Sequence, residues 1–171
     1  GRDLICRSGG SEKVLTTRYE IFLRGLHNVE NVLAALAAGL ACGASPDSMR
    51  ATVAEFKGVE HRIEFVDDIE GVRFYNDSKA TSVDATSKAL EALSEIDGKT
   101  VLILGGRGKN APYAPLIPLI EGSVRSIVVI GEDDENIESQ WTGRAPIVRA
   151  GSLDDAVQMC FGAAERGDAV L

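Results

Sequence analysis

TVLIL at residues 100–104 is an unbroken apolar run, and glycines stand directly behind it at 105, 106 and 108. A strand without polar alternation is buried on both faces, which is the pattern of a parallel sheet covered by helices. The pattern returns downstream. RSIVVI (125–130), the shorter PIV (146–148) and DAVL (168–171) are further apolar runs, with stretches of helical spacing near 113–121, 134–141 and 153–165 between them. Upstream, RIEFVDD (62–68) and VRFYN (72–76) read as two strands joined by a polar turn near Gly71, followed by a helical pattern over 83–94. This alternation predicts an α/β domain: a Rossmann-like, mainly parallel sheet with helices on both faces. Ligands of open sheets of this type sit at the carboxyl ends of the strands.

The amino-terminal part follows a different plan. DLICR (3–7) and VLTTRYEIFL (14–23), separated by the glycine-bearing SGGSEK, predict a hairpin. From Asn28 onward, Val29, Val32, Leu33, Leu36 and Leu40 recur at helical spacing, with Gly43 as the stop. Ser45 is placed as the cap of a second helix, Pro46 lies in its first turn, Met49, Val53 and Phe56 form its apolar side, and Gly58 ends it. A chain of 171 residues suits one domain of ordinary size plus a remainder. The expected division is a hairpin and helix pair over 1–58 and the sheet domain over 59–171.

Eighteen Lys and Arg stand against 26 Asp and Glu, a formal net charge of −8, and the cations are scattered. Such a balance repels a nucleic-acid backbone, so no nucleic-acid partner is expected. No apolar run reaches the ~20 residues of a membrane helix and the first residues lack a secretory layout, so the expectation is a cytoplasmic protein without a membrane partner. Cys6, Cys42 and Cys160 are widely spaced and only two His are present. The reading is reduced, buried thiols, with no metal site.

Four stretches carry chemically suggestive residues. FYNDSKATS (74–82) passes from a strand end into a helix through Asp77, Ser78, Lys79 and Thr81, which suit a polar ligand and equally suit a helix cap by Ser78 or Asp77 with a solvated lysine. LILGGRGKNAP (102–112) offers glycines that allow backbone amides to approach an anion, with Lys109 just beyond; a plain strand-to-helix turn is the alternative. Its spacing is neither a Walker loop nor GxGxxG. GLHNVENVLAA (25–35) puts His27, Asn28 and Asn31 at the mouth of a helix, where amides three apart share a face and could read a nucleobase; Asn28 as N-cap is the competing reading. GVEHRIE (58–64) sets His61 and Arg62 before a strand, and Arg62 suits a phosphate oxygen or a structural ion pair.

The succession HNVENVLAA, FKGVEHRIE, GVRFYNDSKAT, LILGGRGK resembles the Mur ligase family, most closely its D-glutamate-adding branch, over nearly the entire chain. The resemblance implies residues 1–58 as the trailing part of a central ATP-binding domain and 59–171 as a carboxyl-terminal Rossmann-like domain. It implies a cytoplasmic monomer acting in peptidoglycan synthesis with ATP and Mg²⁺, the metal held mainly by the central domain. UDP-N-acetylmuramoyl-L-alanine would be phosphorylated on its carboxylate and D-glutamate joined to it through the acyl phosphate. By position, Asn28, Asn31, Arg62 and Asp77 match nucleotide-binding residues; Lys79, Thr81 and Lys109 match residues associated with D-glutamate; and His61, Arg62 and Lys79 fall among catalytic residues.

Ser82 departs from the family's usual Asn. The stretch contains no GKT-type phosphate loop, no carbamate lysine and no UDP-binding domain, and it stops at GDAVL before an expected serine-containing segment, so this fragment alone is expected to be inactive. The alternatives are another Mur ligase or a folylpolyglutamate synthase, a non-catalytic Rossmann-like nucleotide-binding module, or an interaction domain. A dinucleotide module would need a glycine fingerprint and an acid ~20 residues later.

Overall fold

The computed structural model describes residues 2–107, 112–141 and 143–171. The chain divides into two compact units, Gly1–Val59 and Glu60–Leu171.

In the first unit, β1 (Asp3–Ser8) and β2 (Ser11–Thr17) pair antiparallel around Gly9 and Gly10, both at positive φ. The second strand is shorter than its apolar run. After Thr17 the chain turns through a 3-10 helix, Arg18–Glu20, because the Glu20 carboxylate folds back to accept the Thr17 amide and the Thr16 hydroxyl, each at 2.9 Å. α1 (Leu26–Ala41) starts two residues before Asn28, with Gly25 at φ 84° as its N-cap residue. Asn28 is therefore inside the first turn and is not the N-cap. α2 (Pro46–Glu55) is capped as its sequence implies, with Ser45 accepting the Ser48 amide at 3.2 Å; it ends at Glu55, before Gly58. Leu4, Leu15, Ile21, Val32, Leu36 and Met49 form the core of this unit.

The second unit is one six-stranded sheet. Its strands are β3 (Glu64–Ile69), β4 (Val72–Asn76), β5 (Thr100–Gly105), β6 (Val124–Ile130), β7 (Ile147–Arg149) and β8 (Ala169–Val170), in the spatial order β3-β4-β8-β5-β6-β7. Only β3 and β4 pair antiparallel; every other pairing is parallel. The helices are α3 (Val83–Leu93), α4 (Ile117–Ser123), α5 (Asp134–Trp141) and α6 (Leu153–Ala163).

Period-two alternation assigns the two faces. Leu102, Ile127 and Val129 pack with Leu90, Ile120, Ile137 and Trp141 on the side of α3, α4 and α5. Val101, Val128 and Val170 pack with Ala156 and Cys160 of α6 on the other. Helices thus cover both faces, which is why the strands carry apolar residues at successive positions. The thiols are not uniformly buried: Cys160 lies in this core, Cys6 is half-buried, and Cys42 is exposed because it ends α1 at the surface. Burial pushes the Cys160 thiol up to about 12.

At the amino edge of the sheet, Asp168 is 1% exposed. It accepts the backbone amides of Lys99 (2.7 Å) and Glu165 (2.8 Å) and a two-pronged hydrogen bond from Arg125. Four donors satisfy both oxygens, the condition for keeping a buried carboxylate charged.

Candidate functional site

β4, β8 and β5 run parallel, so the segment after Asn76 and the segment after Gly105 leave the same, carboxyl edge of the sheet. Two constructions stand there.

The first joins residues 61–64 to residues 76–80. Ile63 donates its amide to Asp77 Oδ1 at 3.1 Å, and Lys79 donates its amide to the His61 carbonyl at 3.1 Å. Asn76 Nδ2 lies 2.9 Å from His61 Nδ1, while Asn76 Oδ1 accepts the Ser78 amide at 3.0 Å. The His61 amide donates to Glu64 Oε2 at 2.8 Å. These bonds hold an unfavourable backbone. His61 has φ 65° and Ile63 has φ 45°, a left-handed conformation that costs a β-branched residue most. The strained turn leaves His61 and Arg62 exposed, and Lys79 and Thr81 are exposed as well. His61, Arg62, Asp77 and Lys79, all singled out in the sequence, therefore belong to one knot of chain, and Thr81 follows it directly in sequence.

Asp77 and Ser78 are not helix caps. α3 begins at Val83, and its N-cap is Ser82, whose Oγ accepts the Ala85 amide at 3.2 Å. Asp77 instead spends its carboxylate on Ile63, across 14 positions of sequence. Asn76 and Glu64 are contributors that sequence reasoning did not single out. An Asn at a strand end with a polar turn behind it is the signal for Asn76, because its side chain readily accepts the amide two residues on.

The second construction is the junction of β5 and β6. The Gly106 amide donates to the Ile130 carbonyl at 2.9 Å, and the Glu132 amide donates to the Gly106 carbonyl at 3.1 Å. A Cβ on Gly105 would stand 1.7 Å from the Ile130 oxygen. The glycine at 105 thus serves close backbone packing, and the Gly106 amide is consumed within the sheet and not aimed at an anion. Lys109 lies outside the described residues. Arg107 and Tyr113 are tied to the segment after β6: Arg107 pairs with Glu132 at 3.4 Å, and the Tyr113 hydroxyl donates to Asp133 Oδ2 at 2.5 Å. Gln140 accepts the Tyr113 amide at 2.8 Å, and Trp141 Nε1 donates to the Tyr113 carbonyl at 3.3 Å. Burial and the Asp133 carboxylate push the Tyr113 phenol up to about 12, so it stays a donor.

In the first unit, Asn28 is buried, donates through Nδ2 to the Arg24 carbonyl at 2.7 Å and accepts from Asn31 Nδ2 at 3.2 Å. Asn31 is exposed and shares that face one turn later. Among the described residues, no group of three or more His, Cys, Asp or Glu could hold a metal ion, and no helix is long and apolar enough to cross a membrane.

The sheet order and polar carboxyl edge make the second unit a Rossmann-like domain. The family model for Mur ligase, glutamate ligase domain, matches residues 61–171, and the chain belongs to the Mur ligase family. Proteins named UDP-N-acetylmuramoylalanine–D-glutamate ligase are similar along most of it. The one from Acidobacterium capsulatum is 51% identical over 152 residues, covering 89% of this chain and 32% of that protein. That from Pseudomonas fluorescens is 44% identical over 153 residues, 89% and 34%. The one from Thermoanaerobacter sp. is 40% identical over 177 residues, 100% and 38%. The chain thus spans about a third of the length of these relatives.

Among solved structures, MurF from Acinetobacter baumannii superposes with a TM-score of 0.77 at 17% identity, covering 99% of this chain and 38% of that one. A MurF ligase from Thermotoga maritima in complex with ADP gives 0.70 at 18%, covering 98% and 38%. These likenesses establish the fold.

Proposed function

We propose that this chain is the carboxyl-terminal part of an ATP-dependent ligase that joins D-glutamate to UDP-N-acetylmuramoyl-L-alanine in peptidoglycan synthesis. The supporting observation is the knot of residues 61–64 and 76–80, whose bonds from Ile63 to Asp77 and from Lys79 to the His61 carbonyl join the segments that carry Arg62 and Lys79 at the carboxyl edge. The relatives at 40–51% identity bear the name of that activity.

In this reading Arg62 offers paired donors to a phosphate oxygen of ATP, and the developing negative charge of phosphoryl transfer is what such a cation stabilises. Lys79 and Thr81 receive a carboxylate of D-glutamate together with Lys109. The amine then attacks the acyl phosphate, forming an amide with release of phosphate. Asp77 serves the nucleotide indirectly, by holding the turn that carries Arg62. The complex of the T. maritima MurF ligase with ADP supports a nucleotide beside this fold.

Residues 1–58 are the trailing part of a central ATP-binding domain, with Asn28 and Asn31 near the nucleotide. α1 supports this, because Leu26 (73% exposed), Leu33 (45%) and several alanines lie uncovered on a helix that carries no polar side chain from Val32 to Ala41. Such a helix belongs inside a larger domain. Mg²⁺ would be held mainly by the rest of the central domain. The parent enzyme is a cytoplasmic monomer, and the fragment alone is inactive.

The test is phosphate release by the full-length protein supplied with ATP, UDP-N-acetylmuramoyl-L-alanine and single amino acids. D-glutamate should drive it, and Lys79→Ala or Lys109→Ala should chiefly raise the KM for D-glutamate. Release driven by another amino acid, or by a folate substrate with glutamate, would reassign the chain to another Mur ligase or a folylpolyglutamate synthase. Nucleotide binding without any turnover would support a non-catalytic module.

A further inference from the structure

Asn76 determines which nitrogen of His61 carries the proton. Its Oδ1 accepts the Ser78 backbone amide at 3.0 Å, and a backbone amide can only donate, so the orientation of the carboxamide is fixed. Nδ2 therefore is the atom 2.9 Å from His61 Nδ1. A carboxamide nitrogen has only protons to offer, so Nδ1 must accept through its lone pair. In a neutral imidazole the proton then resides on Nε2. The Glu64 carboxylate, a charged group facing Nδ1, stands 3.8 Å away and is engaged by the His61 amide. The His61 side chain is 55% exposed, and its Nε2 has no hydrogen-bond partner among the described residues.

We propose that Asn76 is a positioning residue that locks His61 as the Nε2–H tautomer, so that the ring donates a hydrogen bond to an anionic oxygen of the ligand. With Nδ1 occupied and Nε2 protonated, the ring has no lone pair left to deprotonate an incoming amine. The tautomer follows from the hydrogen bonds alone; the ligand, a phosphoryl or carboxylate oxygen, rests on the ligase reading.

Two experiments test the two parts separately. Long-range ¹H–¹⁵N spectra of the ¹⁵N-labelled chain at about pH 9, where an imidazole is neutral, report the tautomer directly. His27 is the one other histidine, and a His27→Gln variant leaves only the signals of interest. Nδ1 should resonate as a bare nitrogen and Nε2 as a protonated one; the reverse pattern, or two averaged signals, overturns the proposal. Asn76→Asp, which puts an acceptor opposite Nδ1, should exchange the two signals, and unchanged signals would also overturn it. If that variant fails to fold, the unmodified chain's spectrum decides.

In the full-length protein, His61→Gln keeps an N–H donor but cannot act as a base. It should recover about tenfold or more of the kcat lost in His61→Ala, the size of one hydrogen bond to a charged group. Equal losses in both would overturn the donor role. Absence of D-glutamate-dependent phosphate release in the unmodified full-length protein would instead count against the ligase reading and leave the tautomer result intact.

Discussion

Asp77 Oδ1 accepts the backbone amide of Ile63 at 3.1 Å, and so ties the turn bearing His61 and Arg62 to the end of β4. Ile63 sits at φ 45°, a conformation that persists only where neighbours enforce it. Asp77→Ala should cost about 1–3 kcal/mol through the lost acceptor, and Asp77→Asn, which retains an oxygen, should cost less. Urea unfolding followed by the fluorescence of Trp141, the only tryptophan, measures this for the second unit.

Ser82 has a definite task as N-cap of α3. Ser82→Ala should destabilise the same transition by about 1 kcal/mol, whereas Ser82→Asn should be close to neutral because asparagine caps equally well. A loss for Ser78→Ala as large as that for Ser82→Ala would contradict the cap assignment.

Gly105→Ala should be among the most damaging single changes. Its Cβ would meet the Ile130 carbonyl oxygen at 1.7 Å, and backbone on both sides must shift. A loss of about 3 kcal/mol or more is expected, seen as a lowered melting temperature with the β5–β6 junction opened. Gly122→Ala, where nothing lies within 4 Å, is the control and should be nearly silent.

The Asp168 carboxyl is subject to burial, which raises it, yet the Arg125 guanidinium and the amides of Glu165 and Lys99 hold it below the ordinary aspartate value of 3.8. A folded value below the unfolded one contributes stability that is complete above about pH 4 and is lost as pH falls through the folded value. Stability measured between about pH 6 and about pH 2.5 should therefore drop at the acid end, and Asp168→Asn should flatten that drop. Arg125→Ala, which strands the buried charge, should cost roughly 3 kcal/mol at neutral pH.

Strands 100–105 and 124–130 were legible because apolar residues at successive positions demand cover on both faces, and the 64–76 hairpin because a polar turn separates two alternating segments. Ser45 was legible as a cap since Pro46 follows it. Less was visible where the outcome depends on distant partners. Asp77, Ser78 and Ser82 can all cap a helix, and only the demand of the Ile63 amide distinguishes Asp77 from Ser82. The Gly106 amide looks available for an anion until the Ile130 carbonyl, far along the chain, claims it. Asn76 lay within a stretch of evident chemistry, but its role needs His61, which approaches only once the turn has closed. The roles proposed for Asn28, Asn31, Arg62, Lys79, Thr81 and Lys109 came from the family resemblance more than from local chemistry, because an exposed cation looks the same whether it awaits a ligand or only water.

β8 (Ala169–Val170) follows β3 to β7 in sequence, yet it lies between β4 and β5 and not at an edge. Until it arrives, the hairpin of β3 and β4 and the layer of β5, β6 and β7 have no common hydrogen bonds within the sheet. During synthesis the facing flanks of β4 and β5 therefore stay open, and they are joined within the sheet only after residue 170 has left the ribosome. Assembly of the domain is therefore slow relative to a helical protein of its size, and exposed to mispairing for the whole of that interval.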